Sequence, residues 1–173
     1  VNGDGMTDIV RSFGDESEVH LNRGSTPDLL IGVERPTGGT TQWSYVPSTT
    51  AMPPAPPTPP IPFVVPLVAT VTTDASPGMP DSAPHVTRYA YAGGSWDADR
   101  RELRGFERVV ETRPDGARVL RSYATDAALR GKLRSERIED AAGALWLAYD
   151  YEYVPQPVAP PWPPPIPPGT VRR

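Results

Sequence analysis

Residues Thr87 to Val110 read TRYAYAGGSWDADRRELRGFERVV, and this stretch decides the fold. Thr87, Tyr89 and Tyr91 fall on one side of an extended segment before Gly93-Gly94, and extended sequence resumes at Gly105-Phe106, as in strands that bury one face. We expect the chain to reverse at Gly93-Gly94 and then to cross a charged loop. The arginines of that loop are balanced by carboxylates, which argues against a nucleic-acid patch.

The charged loop and its flanks supply the candidate structural residues. Asp97, Asp99 and Glu102 could form an acid–base pair, but the arginines between them favour a structural ion-pair network. We expect Gly105 to turn the chain so that the side chain of Phe106 points into the sheet. The full candidate set is Trp96, Asp97, Arg101, Glu102, Arg104, Gly105 and Phe106.

The chain begins VNGDGMTD, a spacing typical of a calcium loop. In such a loop alternate side-chain oxygens and one carbonyl converge on a hard cation, and glycine permits the tight turn. Asn2, Asp4 and Asp8 would supply side chains, and Met6 its backbone carbonyl. The first acidic ligand would precede Val1, so we expect this chain to bind Ca²⁺ weakly. The alternative is a glycine turn with solvated acids.

Further strands are predicted on both sides of the central stretch. Residues Asp28–Val33 suit a strand buried on both faces, and Thr41, Trp43 and Tyr45 alternate with polar residues. Trp43 and Tyr45 belong to a core strand or, alternatively, to a sugar-binding platform. Residues Phe63–Thr73 suit a strand that Pro66 confines to an edge or bends with a bulge.

The part that follows the central stretch predicts hairpins. Strands are expected at 106–113 and 117–123 around Arg113-Pro-Asp-Gly116, and at 132–140 and 145–153 around Asp140-Ala-Ala-Gly143. Between the hairpins, Thr125–Gly131 has a capping Asp126 and a terminal glycine, enough for one or two helical turns.

Composition excludes several classes of protein and site. The 173 residues carry a formal charge of −4, which gives no general attraction to nucleic acid or anionic lipid. Cysteine is absent, so disulfides and cysteine metal sites are excluded. No apolar run is long enough for a membrane span. His20 and His85 lie far apart in sequence, and neither sits in a local motif with a nucleophile and an orienting carboxylate. No glycine loop precedes a helix that could bind phosphate. These observations predict that the chain is not an enzyme.

Prolines divide the chain. They number 24 and concentrate from Pro47 to Pro66 and from Pro155 to Pro168, where the sequence favours stiff polyproline spacers. Four units are therefore predicted. Residues 1–50 hold the first strands, 51–83 form a proline-rich linker and an edge strand, 84–154 form hairpins, and 155–173 form a proline-rich tail.

Three motifs resemble known families. The aromatic strand, Gly-Gly, aromatic-Asp and Arg-Glu-x-Arg-Gly-Phe of the central stretch resemble the segment that leads into the shell of the B component of bacterial insecticidal toxin complexes, relatives of the Salmonella plasmid virulence protein family. Trp96 and Leu103 depart from the expected Tyr and Phe but keep large apolar groups. The first loop resembles the calcium loop of integrin-type propeller blades, and the hairpin units resemble tyrosine-aspartate repeats of the Rhs type.

These resemblances imply a mainly β fold: the end of a β-propeller-type blade, then antiparallel shell strands of the tyrosine-aspartate repeat type, with proline-rich connectors. They also imply a non-enzymatic structural module of a secreted bacterial toxin, which helps to build a shell around a toxic C-terminal cargo. Its partners would be an A-type translocation channel, on which the propeller docks, and a C-type cargo-bearing chain.

Two alternatives belong to other classes of protein. One is a calcium-dependent adhesion or glycan-binding module of a cell-surface protein, acting through Asn2–Asp8 and Trp43. The other is an enzyme similar to the ADP-ribosyltransferases fused downstream of this region in the virulence relatives. The arginine, serine and glutamate motifs of those enzymes do not occur in this sequence.

Overall fold

The computed structural model describes residues 2–24, 28–51, 61–78 and 83–154. The first two strands, β1 (Ile9–Phe13) and β2 (Glu16–His20), form a hairpin of their own. The eight others form one antiparallel sheet in which neighbours in sequence are neighbours in space. They are β3 (Gly32–Glu34), β4 (Thr40–Pro47), β5 (Pro66–Asp74), β6 (His85–Asp97), β7 (Glu102–Thr112), β8 (Arg118–Tyr123), β9 (Leu133–Glu139) and β10 (Leu145–Asp150).

The mainly β, antiparallel fold agrees with the sequence-based prediction. A short helix, α1 (Ser48–Ala51), follows β4. Within the described ranges, no helix is long and apolar enough to cross a membrane.

The longest strands, β6 and β7, lie in the middle of the sheet and pair from Arg88↔Thr112 to Asp97↔Glu102. The expected reversal at Gly93-Gly94 is wrong, because β6 runs through both glycines and the chain reverses only after Asp97. Gly93 has φ 67°, and a Cβ there would lie 2.7 Å from the Cβ of Glu107 on β7. Gly93 therefore permits close approach of two strands rather than a turn.

Three hairpin turns share one hydrogen-bond pattern. In residues 35–39, 113–117 and 140–144, the first residue's N–H donates to the fifth residue's carbonyl at 2.8, 2.8 and 2.9 Å. The glycine at the fourth position donates back to the first carbonyl, with φ values of 91°, 84° and 87°. This is a type I turn closed by a left-handed glycine, which a Cβ would strain. The turns predicted at 113–116 and 140–143 are confirmed.

Two of the predicted elements differ from the structure. β3 is an exposed edge strand rather than a strand buried on both faces, because it pairs only with β4 and, among the described residues, no second layer covers Leu30 or Ile31. Residues Thr125–Gly131 form a turn without helix. The N–H of Gly131 donates to the carbonyl of Ala124 at 2.9 Å, which closes the loop before a helical turn can propagate.

β5 lies in the interior of the sheet, between β4 and β6, rather than at an edge. Pro66 is tolerated there because it is the first residue of the strand, where β5 pairs only with β4. A register shift between Ser44 and Tyr45 marks the bulge that the proline suggested. The division into four units stays a prediction, although the sheet includes strands from the first three of them. The proposed polyproline segments at 53–60 and 155–168 lie outside the described residues.

The sheet is mostly a single layer. Among the described residues, the buried apolar side chains are Leu67, Ala117, Val119 and Ala124, and Val119 alone of these is large and fully buried. Large apolar side chains remain exposed at the two edges of the sheet, including Ile31 near β3 and Trp146 on β10, at 71% and 68%. In the described part of the chain, strand pairing rather than a deep core therefore provides most of the stabilisation.

We expect Gly116→Ala to destabilise the protein more than Gly38→Ala. Both glycines occupy the left-handed position of the same turn, where an L-residue costs about 1–2 kcal/mol. A Cβ on Gly116 would also lie 2.9 Å from the Cβ of Ala141, whereas Gly38 has open space. Overpacking of this kind adds about 1–3 kcal/mol. Urea unfolding of both variants measures the difference, and equal losses would show that the 113–117 and 140–144 turns do not pack together.

Candidate functional site

The end of the β6–β7 pair is shaped by Asp97, whose side chain is 9% exposed. Its Oδ1 accepts the backbone N–H groups of Asp99 and Arg100, both at 3.1 Å, and its Oδ2 pairs with the guanidinium of Arg104. Arg101, with φ 53°, completes the reversal and is exposed. One carboxylate thus fixes both the loop and the start of β7.

These contacts keep Asp97 ionised. The N–H of Arg100 and then the guanidinium of Arg104 hold the pKa of this carboxyl below its ordinary value of 3.8. Arg104 also donates through Nη1 to the carbonyl of Thr125 at 3.4 Å, while its Nε is buried without a hydrogen-bond partner in the described part of the chain. A carboxylate held in this state is a poor general acid near neutral pH.

The turn between β8 and β9 is tied to the same end of the sheet. Glu102 pairs with Arg130, and Asp126 pairs with Arg134 at 2.8 Å. The Oδ1 of Asp126 also accepts the N–H of Leu129 at 2.9 Å, a hydrogen bond that leads the causes lowering this carboxyl's pKa. The sequence correctly marked Asp126 as a capping residue, although what it caps is a turn.

Aromatic side chains pack next to the charged end. Trp96 meets Phe63 edge to face, with ring centroids 5.0 Å apart. Phe106 packs against Tyr91 at 5.3 Å, and the hydroxyl of Tyr91 donates to the carbonyl of Val68 at 3.0 Å. Burial raises the pKa of Tyr91, so it stays a neutral donor. Phe106 is half-buried and links β7 to β6, while Tyr91 links β6 to β5.

Gly105 precedes Phe106 and has φ 94°. No atom lies within 4 Å of the place where a Cβ would be, so the glycine is required by its dihedral angle and not by space. The structure therefore brings together Trp96, Asp97, Arg104, Gly105 and Phe106 at one end of the sheet. Glu102 reaches a different turn through Arg130, and the side chain of Arg101 is exposed.

A second ion-pair network crosses the middle of the sheet, and sequence reasoning missed it. Arg121 on β8 contacts Glu111 on β7 at 2.9 Å and Glu136 on β9 at 2.6 Å, and Arg113 contacts Glu111 at 3.3 Å. Burial acts to raise the pKa of Glu111, but hydrogen bonds from Arg121 and Arg113 hold it below its ordinary value. The signal was opposite charges on successive strands, which becomes readable only once the register is known.

The N-terminal loop brings Asn2, Asp4 and Asp8 together through its own hydrogen bonds. Asn2 Nδ2 donates to Asp4 Oδ2 at 2.7 Å, and Asp4 Oδ1 accepts the N–H of Met6 at 2.8 Å. Asp8 Oδ1 accepts the N–H of Asn22 at 2.9 Å. In the described residues, no three histidine or acidic side chains converge to hold a metal ion. Calcium at this loop stays a prediction.

The loop is attached to the main sheet. The hydroxyl of Thr49 on α1 donates to the carbonyl of Gly3, and a Cβ on Gly5 would lie 3.2 Å from Val64. A small cavity remains between the loop and β4, lined by Asp4, Gly5, Tyr45, Val46, Pro47, Val64 and Pro66. The β1–β2 hairpin follows the loop directly, and its membership of a propeller blade stays a prediction.

Comparison with known proteins identifies the family. The family model described as "Insecticide toxin TcdB middle/N-terminal region" matches residues 1–135, which span the N-terminal loop, the charged end and the first part of β9. The chain belongs to this family. The suspected kinship with toxin-complex B components is thereby confirmed, whereas the Salmonella virulence and propeller resemblances remain predictions.

One solved structure is similar to this TcdB-type region. It is the crystal structure of TcdB2-TccC3 without the hypervariable C-terminal region, with 19% identity and a TM-score of 0.47. The match covers 60% of this chain and 8% of the solved chain, so the chain spans a small part of that protein's length. No curated protein matches the sequence.

Asp97→Asn should destabilise the protein more than Asp99→Asn, because the new amide could still accept N–H bonds but would leave Arg104 without its anion. The folded-state pKa of Asp97 is lowered, so its contribution is fully present above its ordinary value of 3.8 and is lost as the pH falls through the lowered value. In urea unfolding, the difference in unfolding free energy between the parent and Asp97→Asn should therefore stay constant above pH 3.8 and become smaller below it. A gap that persists in acid would contradict the ionic role of Asp97.

Truncating a buried phenylalanine typically lowers the unfolding free energy by about 3–5 kcal/mol. Phe106→Ala should fall near the lower end of this range, because the ring is half-buried against Tyr91. Phe13→Ala is the matched control, since Phe13 is 59% exposed on β1 and should cost far less. Thermal and denaturant melts of the two variants measure the contrast. A Phe106→Ala protein as stable as its parent would remove Phe106 as an anchor of the β6–β7 end.

Proposed function

We propose that this chain is a non-enzymatic structural module of a secreted toxin-complex B component, and that its sheet forms part of the wall of a shell around a toxic cargo. Its membership of the TcdB middle/N-terminal family supports a place in such a protein. The architecture supports the wall role, because a meander of eight antiparallel strands extends in one direction by simple addition of hairpins.

The observation that carries the proposal is the exposed edge of this single-layer sheet. On β10, Leu145 is 57% exposed, Trp146 68% and Leu147 40%. Sheets with an apolar face are stable when another layer or a continuing sheet covers that face, and open apolar edges otherwise promote aggregation. A shell wall would provide such cover, because the next strand of the wall would pair with the free edge of β10.

The electrostatics of the charged end support a structural role over a catalytic one. Asp97 and Glu102 each have an arginine partner, and Asp97 is held ionised by N–H groups of its own loop. Enzymes instead separate the pKa values of a carboxylate pair so that one group stays protonated. Here Asp97 fixes the reversal between β6 and β7, while Glu102 connects the start of β7 to the turn between β8 and β9 through Arg130.

The proposal extends to partners and location. The C-type chain would complete the shell and carry the cargo, and the A-type channel would receive the propeller end of the B component. The assembled complex would act outside the bacterium that makes it. These statements concern the whole B component, of which this chain is one region.

The proposal is tested in the full-length protein produced with its C-type chain. Leu145→Ser combined with Trp146→Ser should leave the melting midpoint of this chain alone nearly unchanged, because both side chains are already exposed. In the assembled complex the same pair should make the cargo sensitive to added protease, since the wall would lose its apolar contact next to β10.

Phe13→Ser serves as the control, because Phe13 is 59% exposed on the hairpin that lies outside the eight-stranded sheet. It should leave the cargo protected. A complex that still protects its cargo with both β10 substitutions present would contradict the wall role of this edge.

A further inference from the structure

The chain contains asparagine at two positions, Asn2 and Asn22, which differ in the residue that follows. Both are exposed, and in both the side-chain Oδ1 accepts the backbone N–H two residues ahead, from Asp4 at 3.3 Å and from Gly24 at 3.0 Å. Each side chain is thereby held against the backbone of the two residues that follow it. Asn2 precedes a glycine, whereas Asn22 precedes Arg23.

In any asparagine the side-chain Cγ is an electrophile that a five-membered ring can join to the backbone nitrogen of the next residue. The backbone nitrogen of Gly3, on losing its proton, can attack the side-chain Cγ of Asn2 and close a five-membered cyclic imide. The bond from Cγ to Nδ2 breaks, and that nitrogen leaves as ammonia. Water then opens the ring at one carbonyl to give aspartate, or at the other to give isoaspartate, so the only co-reactant is water and no electrons are exchanged.

The surroundings of Asn2 favour the reaction. Gly3 has no Cβ to obstruct ring closure, and its φ of 74° shows a backbone already in a region that glycine adopts freely. Asn2 Nδ2 donates to Asp4 Oδ2 at 2.7 Å, so a carboxylate lies next to the nitrogen that leaves and can relay a proton to it. Asn22 lacks this advantage, because the residue that would attack it, Arg23, carries a Cβ.

We propose that Asn2 is a deamidation site whose reaction loosens the N-terminal loop from the sheet. An aspartate at this position would place a carboxylate against Asp4 where an N–H donor had been, and like charges at that separation repel. Isoaspartate would add one carbon to the main chain just before Gly3. The carbonyl of Gly3 accepts the hydroxyl of Thr49, so either product acts directly on the contact that holds the loop to α1.

The experiment is to age the chain in mildly alkaline buffer and follow both asparagines by peptide mapping with mass spectrometry. We expect Asn2 to convert at least about tenfold faster than Asn22, which corresponds to about 1.4 kcal/mol in activation free energy. Ammonia release should match the loss of Asn2. Isomerisation at Asp4-Gly5 releases no ammonia and leaves the mass unchanged, so it is not confused with this reaction. Hydrogen exchange of residues 2–8 should be faster in the aged protein.

Gly3→Ala is the matched variant. A Cβ at Gly3 would meet Thr49 at an ordinary contact distance of 3.5 Å, so the change acts mainly on the backbone dihedral and on the attacking nitrogen. It should slow the loss of Asn2 to the rate of Asn22. Equal rates at the two asparagines of the parent chain, which need no variant, would overturn the proposal. A rate at Asn2 that Gly3→Ala leaves unchanged, or an aged loop that exchanges no faster, would also overturn it.

Discussion

The carboxylate of Asp97 holds the reversal on which the sheet depends. It binds two N–H groups of its own loop and the guanidinium of Arg104, and so sets where β6 ends and where β7 begins. β6 and β7 are the longest strands and pair with each other along most of their length. Each remaining strand adds to one side or the other of this central pair, so an error in its register would spread to every neighbour.

Few side chains of the described residues are buried, and contacts between neighbouring strands stabilise the sheet instead. A fully buried valine contributes about 1.5–3 kcal/mol, and Val119 is the one large side chain of the described residues in that position. Cross-strand pairs contribute about 0.2–1 kcal/mol each, and several of them meet around Arg121. The protein is thus held by many small, register-dependent contacts. Such a sheet is consistent with the wall role proposed above.

Local signals predicted the hairpins well and the long-range features poorly. The turn at Arg113–Gly116 was predictable because proline and a left-handed glycine specify it within four residues. The exposure of β3 was not predictable from the sequence, since DLLIGV reads as a buried strand. Only the strand order shows that β3 lies at an edge. The Gly93-Gly94 pair reads as a turn in the sequence, but it lies within β6, where Gly93 leaves room for Glu107 on the neighbouring strand. The roles of Arg121 and Arg130 likewise depend on partners that are distant in sequence.

The central claim is that β6 and β7 form the organising pair of one continuous sheet, and hydrogen–deuterium exchange followed strand by strand tests it most directly. The account predicts the slowest exchange in β6 and β7, with protection falling outward on both sides to β3 and β10. It also predicts that Asp97→Asn accelerates exchange in β6 and β7 together. Independent protection of β3–β5 and β6–β10, or protection that is highest at β10, would contradict it.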